Sequence, residues 1–373
     1  MKNLKPITLG AGAFLYSMLS ISIALADDTE IYVPKDLTAD QYIRPNILFV
    51  LDSSGSMDTG VPNTNGLNRN RVLRNVVNNL VEDLKTKEDV NVGFMRFGGL
   101  VNSNEQGGHV LGPVKQLTIA NAQSMKDTVN TVNTSDWTPL SETYYEAYRY
   151  MAGLAPVWGT TRSIASSKNA NGTYKSPIEH TCQASHIIYI TDGAPTRDVD
   201  SSTAIRNLVA GKNTLYPSTS CGANDGQCLP HLAEYMANQD MAPSPAFDDP
   251  SGRKQTVTSH FVGFAVNLPI LQNAAAAGGG RYYTSDNVSG LTAALKAIVA
   301  DITADNTSFA APSVAVSAFN NLGYRNALYY ALFRPAEGAN WSGNVKRYKL
   351  DVVRDINGNP IEPSTPLIVD KDG

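Results

Sequence analysis

Asn46-Ile-Leu-Phe-Val-Leu-Asp52-Ser53-Ser54-Gly55-Ser56-Met57 is the stretch whose reading decides the fold. Ile47 to Leu51 is apolar at every position, as a central strand buried on both faces requires. The run ends on an aspartate, and a hydroxyl-rich turn follows. In an α/β protein, ligands bind outside the carboxyl ends of the parallel strands. Asp52, Ser54 and Ser56 stand at i, i+2 and i+4, so one carboxylate and two hydroxyls can converge there on a hard cation. Oxygen donors of this kind select Mg²⁺, Mn²⁺ or Ca²⁺ over softer metals. Gly55 lets the turn bring its backbone close to such an ion.

Two later segments belong with the first. Thr138-Pro139-Leu140-Ser141-Glu142 sets a threonine before a helix start. Ile187-Ile188-Tyr189-Ile190-Thr191-Asp192-Gly193 delivers a second aspartate from another buried strand. A lone D-x-S-x-S is a weak pattern, but the three segments in this order are specific. Together they resemble the metal-ion-dependent adhesion site of von Willebrand factor A domains. The resemblance implies that Asp52, Ser54, Ser56, Thr138 and Asp192 contact a divalent cation, directly or through water. Mg²⁺ or Mn²⁺ is expected, with Ca²⁺ a further candidate. It also implies a coordination sphere one ligand short, which a partner protein's carboxylate fills. The plainer alternative is a cluster of helix caps with no metal, but caps do not call for three such segments.

Composition sets the frame. Apolar residues make up 42% of the 373, enough for a substantial core, and 30 basic residues nearly balance 34 acidic ones. No basic patch points to nucleic acid. Residues 1–26 read as a signal peptide: Lys2 and Lys5, an apolar run from Ile7 to Ile23, then Ala24-Leu25-Ala26 before Asp27-Asp28. The mature chain is then expected to be exported, to the periplasm, the cell surface or a pilus tip. In an oxidising compartment, the three cysteines Cys182, Cys221 and Cys228 predict a disulfide. Three pairings are open, each leaving one thiol, and the sequence does not choose among them. Zinc at Cys228/His231 or His180/Cys182 is disfavoured, since the spacings are not those of paired zinc ligands.

Residues 27–42 are a polar lead-in, and 43–305 alternate strands with helices. Helical spacing of Val72, Leu73, Val76, Val77, Leu80, Val81 and Leu84 predicts a helix over 69–84. Strands are expected at 90–97, 109–117, 185–191, 256–266 and 281–284. Further helices are expected at 119–132, from Thr138, at 229–239, before Gly278 and at 291–302. Tyr144, Tyr145, Tyr148 and Met151 form a stripe best read as core. Polar stretches near 157–181 and 211–252 read as insertions, the first expected to be exposed. The predicted fold class is α/β: an A-domain-like, doubly wound, mainly parallel sheet flanked by helices, followed by a β-rich segment over 306–373.

That segment carries a second resemblance. Strand-like runs at 313–319 and 326–333 are followed by Trp341-Ser-Gly-Asn-Val-Lys-Arg-Tyr348, and Asn357-Gly358 signals a hairpin. An exported A domain followed by this stretch resembles the PilC/PilY family of type IV pilus tip adhesins, in which a β-propeller follows. The chain departs from that pattern by ending near the start of the expected propeller, so no role of the propeller carries over. The resemblance implies adhesion and pilus assembly through protein contacts, with pilins or minor pilins and a host or surface receptor as partners. The alternatives are a generic secreted A-domain binding protein and a chelatase-type subunit, the latter at odds with the export signal. No enzymatic activity is expected. No G-x-S-x-G, H-E-x-x-H or P-loop occurs, and the five histidines are scattered. Asp355 to Asn359 mimics a calcium loop, but Pro360 and Pro366 stand where such a loop needs Gly and Glu.

Overall fold

The computed structural model describes residues 43–98, 106–134, 137–180, 183–241 and 254–305, and four strand segments beyond them. The expected signal peptide, the lead-in to residue 42, Cys182, the Asn357-Gly358 hairpin and the calcium-loop mimic lie outside the described residues.

Six strands form the central sheet: β1 (Asn46–Leu51), β2 (Asn91–Phe97), β3 (Gly108–Gln116), β4 (Ser185–Thr191), β5 (Val257–Phe264) and β6 (Gly279–Ser285). Their order is β3-β2-β1-β4-β5-β6. All neighbours run parallel except β3, which pairs antiparallel with β2 at the edge. The expected doubly wound, mainly parallel sheet is therefore present. Its strand order reverses between β1 and β4, and that reversal opens a crevice at their carboxyl ends.

Strand alternation divides the core in two. Ile47, Phe49 and Leu51 face one layer, while Leu48 and Val50 face the other. The first layer holds α1 (Arg69–Leu84), α2 (Ala122–Asn130) and α7 (Val288–Asp305). The second holds α3 (Leu140–Met151), α4 (Ser202–Val209), α5 (Leu229–Asn238) and α6 (Pro269–Ala277). β1 is buried at every position, as its unbroken apolar run requires. The tyrosine stripe of α3 is core: Tyr144 is fully buried, and its ring packs edge-on to Tyr189 and tilted against Phe261.

Three differences from the sequence reading have physical causes. Helix α2 starts at Ala122 rather than Ile119, because Thr118 and Asn121 exchange side-chain-to-backbone bonds in a turn of their own. Helix α4 has no counterpart in the prediction, since Ala204, Ile205, Leu208 and Val209 give it only a short apolar face. The 157–181 stretch is anchored rather than simply exposed. Tyr174 is fully buried and donates a 2.6 Å hydrogen bond to Glu146 Oε1. Of the strand expected at 313–319 only Ser313 lies within the described residues, as the last residue of β7 (Phe309–Ser313). β7 belongs to a separate four-stranded antiparallel sheet with β8 (Ala327–Arg334), β9 (Ser342–Leu350) and β10 (Ile368–Val369). No helix among the described residues is long and apolar enough to cross a membrane.

His186, near the amino end of β4, and His260, in the middle of β5, form a buried histidine pair. The rings of His186 and His260 stack with centroids 5.6 Å apart, and His260 Nδ1 accepts from the Arg281 amide at 3.2 Å. Burial pushes His186 down to about 3 and His260 to about 4. Unfolding restores ordinary histidine values, so the unfolded chain binds more protons between those pH values and about 6.5. Stability is therefore lost as pH falls through that window. We expect the wild-type chain to lose about 1–2 kcal/mol at His186 between pH 7 and pH 5. Urea midpoints at the two pH values check this: His186→Leu should show a smaller acid loss than wild type.

Candidate metal centre

The site begins where β1 and β4 end. The Asp52 amide donates to the Ile190 carbonyl at 3.0 Å, the last rung between the two strands. The Asp52 side chain is fully buried and its carboxylate is held by three donors. Oδ1 accepts from the Ser54 amide at 2.6 Å; Oδ2 accepts from Thr191 Oγ1 at 2.6 Å and from the Asp192 amide at 3.2 Å. Burial first, and the charge of Asp192 second, push its pKa up to about 6, while the bonds from Ser54 and Thr191 pull it down.

The turn then separates its serines. Ser53 is drawn away from the crevice: its hydroxyl donates to the Phe97 carbonyl at 3.3 Å and accepts from Arg96 Nε at 3.2 Å. Ser54 and Ser56 stay on the crevice side with their hydroxyl oxygens 3.0 Å apart. A short 3-10 helix over Gly55–Asp58 makes that spacing. Ser56 Oγ donates to Asp192 Oδ1 at 2.5 Å. Asp52, Ser54, Ser56 and Asp192 therefore form one connected cluster.

Thr138 arrives on the loop before α3. It forms a two-residue bridge with Thr196: the Thr196 amide donates to its carbonyl at 3.1 Å, and its own amide donates to Thr196 Oγ1 at 2.9 Å. A methyl group placed on Gly193 would stand 3.3 Å from Ser56 Oγ and 3.7 Å from Thr138 Oγ1. Both hydroxyls thus border the same small space, which Gly193 keeps open. All five residues expected at the site are brought to the crevice, four of them joined by hydrogen bonds and Thr138 at its edge.

The donor set fits a hard divalent cation. It offers two carboxylates and three hydroxyls, with no sulfur or imidazole, the oxygen chemistry that suits Mg²⁺ or Mn²⁺ better than zinc. No group of three or more His, Cys, Asp or Glu suited to a metal occurs among the described residues. This set differs in being more than half hydroxyl. With such an ion bound, these residues would hold it and leave it electrophilic, since only two carboxylates offset its charge.

Several residues around the site carry no local sequence signal. Arg69, the first residue of α1, places Nη1 2.7 Å from Asp192 Oδ2. Trp137, next to Thr138, lies under Arg197, whose guanidinium carbon is 4.1 Å from the ring centroid. Arg197 has φ +51°, a conformation that costs a non-glycine residue energy. Helix α3 has no side-chain cap of its own, because Pro139 occupies that position. Asp198, fully buried, supplies one from another loop: its carboxylate accepts from the Ser141 and Glu142 amides at 2.7 and 2.9 Å. Burial pushes Asp198 well above the usual carboxylate range, with the two amides pulling the other way.

The Asp198 amide in turn donates to Asp225 Oδ1 at 2.6 Å. Asp225 sits in the loop closed by the Cys221–Cys228 disulfide. Of the three open pairings this one forms, and it leaves Cys228 unable to ligate zinc. Glu142 takes the Gly107 and Asp200 amides at 2.8 and 3.0 Å, and burial pushes it up to about 7.

No protein-family model matches the chain, nor does any curated protein. Among solved structures it is similar to the PilB minor pilin from Streptococcus sanguinis, at 18% identity and a TM-score of 0.42, over 72% of this chain and 63% of that one. This chain thus spans less than two thirds of that pilin. It is similar to the von Willebrand factor domain of the type V pili tip protein Mfa5 from Porphyromonas gingivalis (14%, TM-score 0.39, 74% and 99% covered). It is also similar to a von Willebrand factor type A protein from Catenulispora acidiphila (12%, TM-score 0.39, 82% and 66%).

The borrowed cap links stability to the site. Asp198→Ala should cost about 0.5–2 kcal/mol, the usual range for a lost helix cap, read as a lower urea midpoint. Asp198→Asn, which keeps one acceptor oxygen, should lose less.

Proposed function

We propose that this protein is an exported, metal-ion-dependent adhesion protein that binds a partner through a carboxylate. The observation that carries the reading is the convergence of Asp52, Ser54, Ser56 and Asp192 in one hydrogen-bonded cluster at the β1/β4 switch point, with Thr138 at its edge. Mg²⁺ keeps exchangeable waters in a near-octahedral oxygen shell, and an incoming Asp or Glu can displace one. A site with two carboxylates leaves the ion room to attract a third. The role is binding rather than catalysis. Hydrolysis at such an ion needs a nearby base; His186 stands at the opposite end of β4 from Asp192, and His260 lies in the middle of β5.

The finer reading is a type IV pilus tip protein with a part in pilus assembly, contacting pilins or minor pilins and a surface receptor. It rests on the resemblance of the segment from Trp341 to Tyr348. Ser342 to Tyr348 lie in β9, within a sheet that follows the α/β domain in the chain.

A pull-down from a piliated cell extract tests both levels. Wild type in Mg²⁺ or Mn²⁺ should recover pilin subunits, and chelator or Asp52→Ala should abolish recovery. Metal-dependent recovery of another protein alone would keep the adhesion site and discard the pilus. Recovery that ignores both metal and Asp52 would overturn the site.

A further inference from the structure

Arg69 is at odds with its position. It opens α1, where the helix dipole and the unpaired amides disfavour a cation, and no acidic residue stands in that first turn. Its placement is nevertheless elaborate. The Arg69 amide donates to the Thr59 carbonyl at 2.9 Å, and Gly60 bridges Asn68. Asn68 accepts from the Arg71 amide at 2.9 Å and donates to Asp58 at 3.1 Å. The loop between Asp58 and Asn68, longer than the turn at the site requires, is thus closed on itself and delivers Arg69 to the crevice.

There the guanidinium meets Asp192 Oδ2 at 2.7 Å, while Ser56 takes Oδ1. The Asp192 side chain is fully buried and that of Arg69 is 19% exposed. Any divalent ion that uses Asp192 must share this carboxylate with a fixed positive charge. A guanidinium stays protonated at every physiological pH, so the competition does not switch off.

We propose that Arg69 is a built-in counter-cation that competes with the divalent ion for Asp192 and keeps the ion affinity of the site low. Occupancy, and with it partner binding, then follows the divalent-ion concentration around the protein instead of being saturated. This inference rests on the metal-dependent reading above. Arg69 acts through Asp192 as a positioning residue; it is not itself a ligand.

The test is Mn²⁺ affinity by calorimetry on the whole chain, for wild type, Arg69→Gln, Arg69→Lys and the Arg69→Gln/Asp52→Ala double variant. Removing the charge should tighten Mn²⁺ binding roughly tenfold or more, and the double variant should lose that gain. Arg69→Lys should stay within about threefold of wild type, since it keeps the charge. The pair itself is read in EDTA, where Arg69→Gln should lower the urea midpoint by leaving Asp192 buried without its partner.

Unchanged or weaker Mn²⁺ binding by Arg69→Gln, with wild type binding measurably, would overturn the counter-cation and leave the metal site standing. An unchanged midpoint in EDTA would overturn it as well. Absence of Mn²⁺ binding in both folded proteins would overturn the metal-dependent reading and this inference with it.

Discussion

The structure depends on a buried carboxylate held at the meeting of two strand ends. Asp52 has no access to solvent, and an ionised group in that position is costly unless donors surround it. Three donors do, and they come from both sides of the switch point: the Ser54 amide from its own turn, Thr191 Oγ1 and the Asp192 amide from the end of β4. The same bonds that pay for the burial of Asp52 fix the position of Asp192. Parallel pairing of β1 with β4, residue for residue from Asn46 and Ser185, ends with Leu51 opposite Ile190, so the two aspartates leave the sheet at the same edge, one residue out of register.

A second layer of carboxylates does for the loops what Asp52 does for the strands. Glu146 accepts from the amides of Val157, Trp158 and Gly159; Glu234 from those of Thr214, Leu215 and Tyr216. Glu142 and Asp198 bind amides around α3. Each is a carboxyl group whose oxygens are taken up by backbone amides instead of by a cation. The long connections between strands are thereby pinned to helices, and the crevice has a defined rim.

This explains what could be read from the chain and what could not. β1, α1 and β4 declare themselves by local pattern: unbroken apolar runs for the buried strands, a 3.6-residue apolar spacing for the helix. Asp52 and Asp192, the two carboxylates of the candidate site, were legible because each directly follows such a strand. Arg69 was not, because its partner lies 123 positions away, and the one local sign was a cation where a helix start disfavours it. Asp198 was invisible for the same reason, since it caps a helix 57 positions earlier. The stretch after Trp158 misled because its polar composition outweighs the few buried residues, Tyr174 and Ile178 among them, that anchor it. Disulfide pairing was undecidable from three cysteines, and becomes clear once Cys221 and Cys228 are 4.8 Å apart at Cα.

The place of β1 in the sheet has a mechanical consequence. The strand is central, paired in parallel over six residues on each side, and Asp52 follows directly from its end. A load applied at the crevice and directed along the strand axis would pull β1 lengthwise between its neighbours. Both ladders would then be loaded in shear, with their hydrogen bonds sharing the force together instead of parting one at a time as in a peeled hairpin. A tether at the crevice would thus draw on two six-residue ladders at once.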